Sequence, residues 1–220
     1  EQTKSLQEIS STLSYTKIQS KDTIFEMLKI IGPSRTNYDK NIDVYTTTGT
    51  AKINGSIAQL GMAASEYAKY QVWSLEGING EASNPRRFIS LIRNIHYRRV
   101  EQKQYFDVTY DIDLIWPFGS TGNQLPFEIR EEVWDGKLLR RMVVSLAADS
   151  FFVDRFDLSL ELIEVAGSSA VKFICQMKLA PVIDAFFSLE KYRKNIEWRV
   201  LRVIANLQVY VEASSPIGKN

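Results

Sequence analysis

The stretch YFDVTYDIDLIW, residues 105–116, alternates apolar and polar positions without a break. Successive side chains of an extended strand point to opposite faces, so Phe106, Val108, Tyr110, Ile112, Leu114 and Trp116 share one side. Asp107, Asp111 and Asp113 fall on the other, where they read as solvent-facing carboxylates. An apolar face of this size needs a cover. Two covers are open at this point: an ordinary close-packed core, or the wall of a cavity holding an apolar guest.

Outward from this stretch the two-residue period continues. Upstream, Ile89, Leu91, Ile95 and Tyr97 alternate; downstream, Phe127, Ile129 and Val133 do the same. WDGK (134–137) then supplies a hairpin, because Asp-Gly suits the positive backbone angles of a two-residue turn. Leu138, Met142, Val144 and Leu146 mark the return strand, and Phe156, Leu158, Leu160 and Leu162 another. After the turn AGSS, the residues Val171, Phe173, Cys175, Met177 and Leu179 define the last. With NIDVYTTTGTAKIN (41–54), rich in strand-forming Val, Ile, Tyr and Thr, the reading is seven strands, six of them consecutive.

Helical periods surround these strands. In residues 1–40, Leu6, Ile9 and Leu13 form one stripe, and Ile24, Phe25, Leu28 and Ile31 a second, with Asp22 as N-cap and a stop at Gly32-Pro33. The loop GPSRTNYDKN (32–41) follows. In GSIAQLGMAASEYAKY (55–70), Ser56 and Gln59 have capping-box spacing, and Ile57, Leu60, Ala64, Tyr67 and Ala68 give the helix a buried side. Pro181 is expected to open a long helix reaching about residue 213, striped by Phe186, Leu189, Ile196, Val200, Val203, Leu207 and Tyr210. At 1.5 Å per residue, about 32 residues give a rod of about 48 Å, long enough to lie across a whole sheet.

The chain has 220 residues, 45% of them hydrophobic and 24% charged, which is an ordinary globular composition. A net charge of +1 provides no global field for a polyanion, so nucleic acid is not expected as a partner. The single cysteine, Cys175, and the single histidine, His96, exclude an internal disulfide, a multi-histidine metal site and a catalytic histidine pair. No cofactor fingerprint or phosphate loop is present. No apolar run approaches the roughly 20 residues of a membrane span. A start without methionine, EQTKSLQEISS, fits either cleavage after a signal peptide, with export to a compartment such as the bacterial periplasm, or a boundary within a cytoplasmic protein.

One strand, a helical insertion, six meandering strands and a long terminal helix are the element order of the START-like, helix-grip superfamily, also called SRPBCC or polyketide-cyclase-like. INGSIAQLGMAASEYAKYQVW resembles the superfamily's opening, with an acidic-aromatic pair and further aromatics at Glu66, Tyr67, Tyr70 and Trp73. LAPVIDAFFSLEKYRKNIEWRVLRVIANLQVYV resembles its gripped helix. Gln71 stands where that pattern often has proline. The resemblance implies an α+β fold in which a seven-stranded curved antiparallel sheet wraps a long C-terminal helix. The chain would divide into an N-terminal helical extension (1–40), the helix-grip domain (41–213) and a tail (214–220). It also implies a cavity between sheet and helix for a lipid or other apolar molecule.

The expected lining is Tyr110, Ile112, Leu114, Phe127, Met142, Phe156, Phe173 and Met177 from the sheet, with Phe186, Ile196 and Val200 from the helix; a filled core would use the same residues. Arg93 and Glu131 fall at inward positions of their alternating patterns. Either they pair with each other or grip a polar head group, since a buried charge must be paired, or a bulge turns them outward. His96 reads as a surface residue and Cys175 as a small core hydrophobe. Basic clusters at Arg86, Arg87, Arg98 and Arg99, and at Lys191, Arg193, Lys194, Arg199 and Arg202, suggest transient contact with a membrane surface. Three functions are compatible with this reading: binding or carriage of a lipid-like molecule without catalysis; a cyclase, aromatase or hydrolase on the same scaffold; or a structural protein with a filled cavity. The sequence leaves the oligomeric state open.

Overall fold

Strand pairing follows directly from the alternation. The computed structural model describes residues 35–79, 89–113, 119–166, 168–185 and 187–214. It contains one eight-stranded antiparallel sheet in the order β1-β2-β8-β7-β6-β5-β4-β3. These strands are β1 (Arg35–Asp39), β2 (Val44–Ile53), β3 (Ile89–Val100), β4 (Lys103–Asp113), β5 (Gly119–Trp134), β6 (Leu138–Leu146), β7 (Val153–Val165) and β8 (Ser168–Leu179). The long meander β3 to β8 is antiparallel hairpins throughout, and β2 closes back onto β8. The turn at 134–137 is the expected one: Asp135 has φ 48° and Gly136 φ 71°.

The eighth strand, β1, lies in the stretch read as a loop. RTNYD has no period-two apolar pattern to announce it, and its register with β2 rests on backbone pairing and polar side chains. The expected helices in residues 1–34 lie outside the described residues, as do Arg86, Arg87, Leu114, Trp116 and Phe186.

Between β2 and β3, α1 (Ile57–Ser65) begins at the predicted capping box: Ser56 Oγ accepts from the Gln59 amide, and the Gln59 side chain accepts from the Ser56 amide. A 3₁₀ turn (Tyr67–Lys69) and α2 (Tyr70–Trp73) follow. After β8, Pro181 opens only one turn, α3 (Pro181–Asp184). The long helix starts later. Ser188 is extended (φ −118°, ψ 163°), and its hydroxyl accepts from the Lys191 amide, so it caps a new helix. That helix, α4, runs through an α-turn (Leu189–Tyr192), a π-helical segment (Arg193–Glu197) and an α-helix (Trp198–Ser214). Its length is about 39 Å rather than 48 Å.

The concave face of the sheet carries the core. Phe106, Ile129, Met142, Val144, Leu160, Val171, Phe173 and Cys175 pack against Val200, Ile204, Leu207 and Val211 of α4. Each fully buried aliphatic or aromatic side chain here contributes roughly 1.5–3 kcal/mol. Gly49 of β2 is required by this packing, because a Cβ there would collide with the Phe173 ring across the ladder. Bulges at Ile92/Asn94, Tyr110/Ile112, Glu132/Val133 and Val153/Arg155 interrupt the ladders and add bend to the strands that carry them.

Candidate functional site

The concave face is unevenly covered on β5, β6 and β7, whereas the inward residues of β8 are buried along its whole length. On β7, Leu160 and Leu162 are buried but Leu158 and Phe156 remain partly accessible. On β6, Met142 and Val144 are buried and Leu146 is not; on β5, Ile129 is buried and Phe127 is not. All of these face inward, since Leu158 pairs with Val144, and Phe127 with Leu146 and Phe106. On α4, Ile196 and Val203 are likewise only partly buried and pack against the main core, and Ile196 and Phe156 both pack against the smaller Tyr45 and Tyr192 cluster. The Phe127 and Phe156 rings meet edge to face at 5.3 Å, and Tyr110 meets Phe152 at 6.2 Å. At the β6–β7 turn, a groove of about 340 Å³ is lined by Leu146, Ala147, Ala148, Asp149, Asp154, Arg155, Phe156 and Asp157. Leu146 and Phe156 therefore belong both to the groove and to the inner face.

Two aromatic clusters close the other sides. Next to α1 and α2, Tyr67, Tyr70, Trp73, Phe106 and Tyr210 form a contiguous group of rings, with Trp73 stacked on Tyr210 at 5.6 Å. The Tyr210 hydroxyl donates to Glu66 at 2.5 Å, and Lys69 donates to the same carboxylate at 2.8 Å. Burial pushes the Glu66 carboxyl up, but these two hydrogen bonds outweigh it and hold it below its ordinary value. Beside β2, the Tyr45 ring stacks on Tyr192 at 4.3 Å, and Thr47 shares a hydrogen bond with Thr36 at 2.9 Å. Cys175 is fully buried there, and burial pushes its thiol up to about 12, so it is an inert core residue.

Of the expected lining, Tyr110, Ile112, Met142, Phe173, Met177 and Val200 are buried, whereas Phe127, Phe156 and Ile196 border the accessible area. Leu146, Phe152, Leu158 and, on α4, Val203 are likewise only partly buried and were absent from the expected set. Leu158 and Val203 already carried the right signal, as members of the inward stripes of β7 and α4.

The two charged candidates do not pair. At Arg93 the bulge between Ile92 and Asn94 shifts the register. Leu91 therefore pairs with Asp111 on the outer face, and Ile92 takes the inward place opposite Tyr110. Arg93 lies exposed and donates to Asp111 at 2.6 Å; the Gly122 amide and Arg93 together hold the Asp111 carboxyl below its ordinary value. Glu131 keeps an inward register opposite Met142, but near the strand end beside the Tyr67 cluster. Its carboxylate accepts from Tyr67 at 2.5 Å and from Gln104 at 3.0 Å, and Gln104 accepts from Tyr97 at 2.7 Å. Burial, then the bond to Glu131, raises the Tyr67 phenol far above its ordinary value. Tyr67 is thus a fixed donor that orients Glu131.

His96 is exposed as expected. Arg199 and Arg202 are not part of a basic surface: both are more than nine-tenths buried. Arg202 donates to the Glu76 carbonyl at 2.9 Å, and Asn206 donates to the Ser74 and Glu76 carbonyls at 3.1 and 2.8 Å, capping the end of α2. Desolvation draws the Arg199 guanidinium down to about 10. Among the described residues no three His, Cys, Asp or Glu side chains form a metal-binding group, and no helix is long and apolar enough to cross a membrane.

A curved antiparallel sheet gripping a long C-terminal helix is the START-like, helix-grip fold. Comparison of the sequence with protein-family models and with curated proteins gives no match. Among solved structures, TTHA0849 from Thermus thermophilus is 14% identical, with 78% of this chain and 99% of that one covered at a TM-score of 0.50. The Zhui aromatase/cyclase from Streptomyces sp. R1128 is 8% identical, with 80% and 99% covered at 0.50. The di-domain ARO/CYC StfQ from the steffimycin biosynthetic pathway is 10% identical over 77% of this chain at 0.50, and the match spans about half of that protein's length.

Proposed function

We propose that the protein binds an apolar small molecule of lipid-like character between the concave face of the sheet and α4. The observation that carries this reading is the set Phe127, Phe156, Leu158, Ile196 and Val203: inward-facing apolar side chains that the protein's own packing leaves partly uncovered. Apolar surface left accessible inside a fold forgoes roughly 25 cal/mol per Å², which a guest of matching character recovers. The groove at the β6–β7 turn lies at the same end, and Phe151 stands exposed in the turn between its two lining segments. This exposed ring supports transient contact with a membrane surface during loading.

The test is native mass spectrometry of the purified full chain, followed by organic extraction. A reproducible adduct that extracts as an apolar compound is the expected result. A protein that stays empty and takes up no apolar compound from a supplied mixture would overturn the reading. The same space serves a cyclase or hydrolase, and extraction after incubation separates the two: a carrier returns the molecule unchanged, an enzyme returns a product.

A further inference from the structure

We propose that residues 22–31, the second amphipathic stripe of the N-terminal extension, dock as a helix on the side of α4 turned away from the sheet. From Trp198 to Val211 no residue of α4 is exposed. A helix with no exposed side lies inside the protein and has a neighbour on every side. Two of those neighbours are in place. Val200, Ile204, Leu207 and Val211 pack into the core on the concave face of the sheet, and Arg202 and Asn206 bond carbonyls of the 74–76 turn.

The third side is apolar. At 3.6 residues per turn, Trp198, Leu201, Ala205 and Val209 share a line roughly 130° round the helix from the one that meets the sheet. Leu201 and Ala205 are each only 8% exposed, and Trp198 and Val209 are partly buried. The start of β1 lies close to this line. Thr36 donates to Glu197 at 2.7 Å and its carbonyl accepts from Arg193 at 3.2 Å, so Arg35 sits about one helical turn short of Leu201. Direction follows from a second bond, since Tyr38 donates to Asp184 at 3.4 Å, before α4 begins. Passing back along β1 from Tyr38 to Thr36 is therefore passing up α4. Chain that continues backward from Arg35 runs past Leu201, Ala205 and Val209, antiparallel to the helix.

What precedes Arg35 fits that course. Gly32, Pro33 and Ser34 separate it from Ile31, a span of at most about 14 Å, so the stripe stays within reach of Leu201. As a helix, Ile24 to Ile31 covers about 10 Å, against about 12 Å from Leu201 to Val209. Ile31 then meets Leu201, Leu28 meets Ala205, and Ile24 and Phe25 meet Val209. Ala205 has the smallest side chain of its line, which lets a second helix approach closely. Residues 1–34 hold four lysines and four acidic side chains, so no net charge draws the stripe to an anionic lipid surface instead. The docking is independent of the apolar-ligand reading.

The test closes a disulfide in the full chain, where the native Cys175 is buried and out of reach. Leu28→Cys is combined with Ala205→Cys in one variant and with Lys172→Cys in another. Lys172 is exposed, pairs with Thr50 of β2 on the convex face, and stands for what an undocked segment could reach. Docking predicts that the Ala205 pair closes within one chain at least about tenfold faster than the Lys172 pair. Equal rates would mean a loose tether, and a disulfide between chains would mean that a second copy covers α4; either result overturns the proposal. Hydrogen exchange on the unaltered chain gives a readout that no substitution can spoil. Residues 22–31 should exchange about tenfold or more slowly than an unstructured chain, and Leu28→Asp should remove that protection. Exchange at the unstructured rate in the unaltered chain would equally overturn it.

Discussion

The two halves of α4 are held in different ways. From Trp198 onward the helix is anchored as a core element: Ile204, Leu207 and Val211 are almost fully buried, and Arg202, Asn206 and Tyr210 are committed to backbone carbonyls of the 74–76 turn or to Glu66. From Leu189 to Glu197, Tyr192 is the one buried side chain among the described ones, and Glu197 and Arg193 bond Thr36 of the edge strand β1. The second half of the helix is thus held by burial, while the described side chains of the first half are, apart from Tyr192, at least partly accessible. Partly buried apolar residues occur in both halves, Ile196 in the first and Val203 in the second.

The sharpest way to break this comparison is to truncate one aliphatic side chain in each half. Leu207→Ala should cost about 2–5 kcal/mol in urea unfolding, because it leaves a cavity in a packed site. Leu189→Ala, at a position 37% exposed, should stay within about 0.5 kcal/mol. Similar losses at both positions would erase the distinction. A smaller effect tests the polar anchorage of the second half: Asn206→Ala leaves the Ser74 and Glu76 carbonyls without that donor and should cost about 1–3 kcal/mol by the same measurement.

The smallest effect concerns pH. Glu66 titrates below its ordinary value in the fold, so the stability it contributes through Tyr210 and Lys69 is present above the ordinary carboxylate pKa. It is lost as pH falls through the lowered folded value. Both Glu66 and Lys69 side chains are 41% exposed, which screens the effect. Acid unfolding of Tyr210→Phe should therefore show a shallower dependence than the native chain across that range; an unchanged profile would remove Glu66 from the account.

Most of this architecture was legible in the sequence, because apolar alternation at period two is the physical signature of half-buried strands, and the long meander from β3 to β8 displays it. The capping box at Ser56 and the Asp-Gly turn were legible for the same reason: each is a local interaction fixed by residues three or fewer apart. What was not legible is non-local. β1 forms through backbone pairing and ties to Glu197 and Arg193, which RTNYD does not encode by pattern. The bulge at Arg93 moved Leu91 outward and Ile92 inward, a one-residue change that alternation cannot register. The helix break at Ser188 was hidden because an apolar stripe continues through it. Arg199 and Arg202 looked like solvated charge, since sequence spacing shows neither that Arg199 is buried nor that the 74–79 turn lies over Arg202. The candidate site was half legible: Phe127, Phe156 and Ile196 were named from their faces, but which inward residues the helix leaves uncovered depends on where the helix sits.

The central claim is that space remains between the sheet and α4 around Leu158, and one comparison measures it: binding of 1-anilinonaphthalene-8-sulfonate and thermal unfolding, in the native chain and in Leu158→Trp. If the space exists, the larger ring occupies it, probe binding falls by about tenfold or more, and the melting temperature holds. If the face is a filled core, the same substitution overpacks it, costing about 1–3 kcal/mol of stability and leaving whatever weak probe binding the native chain shows unchanged.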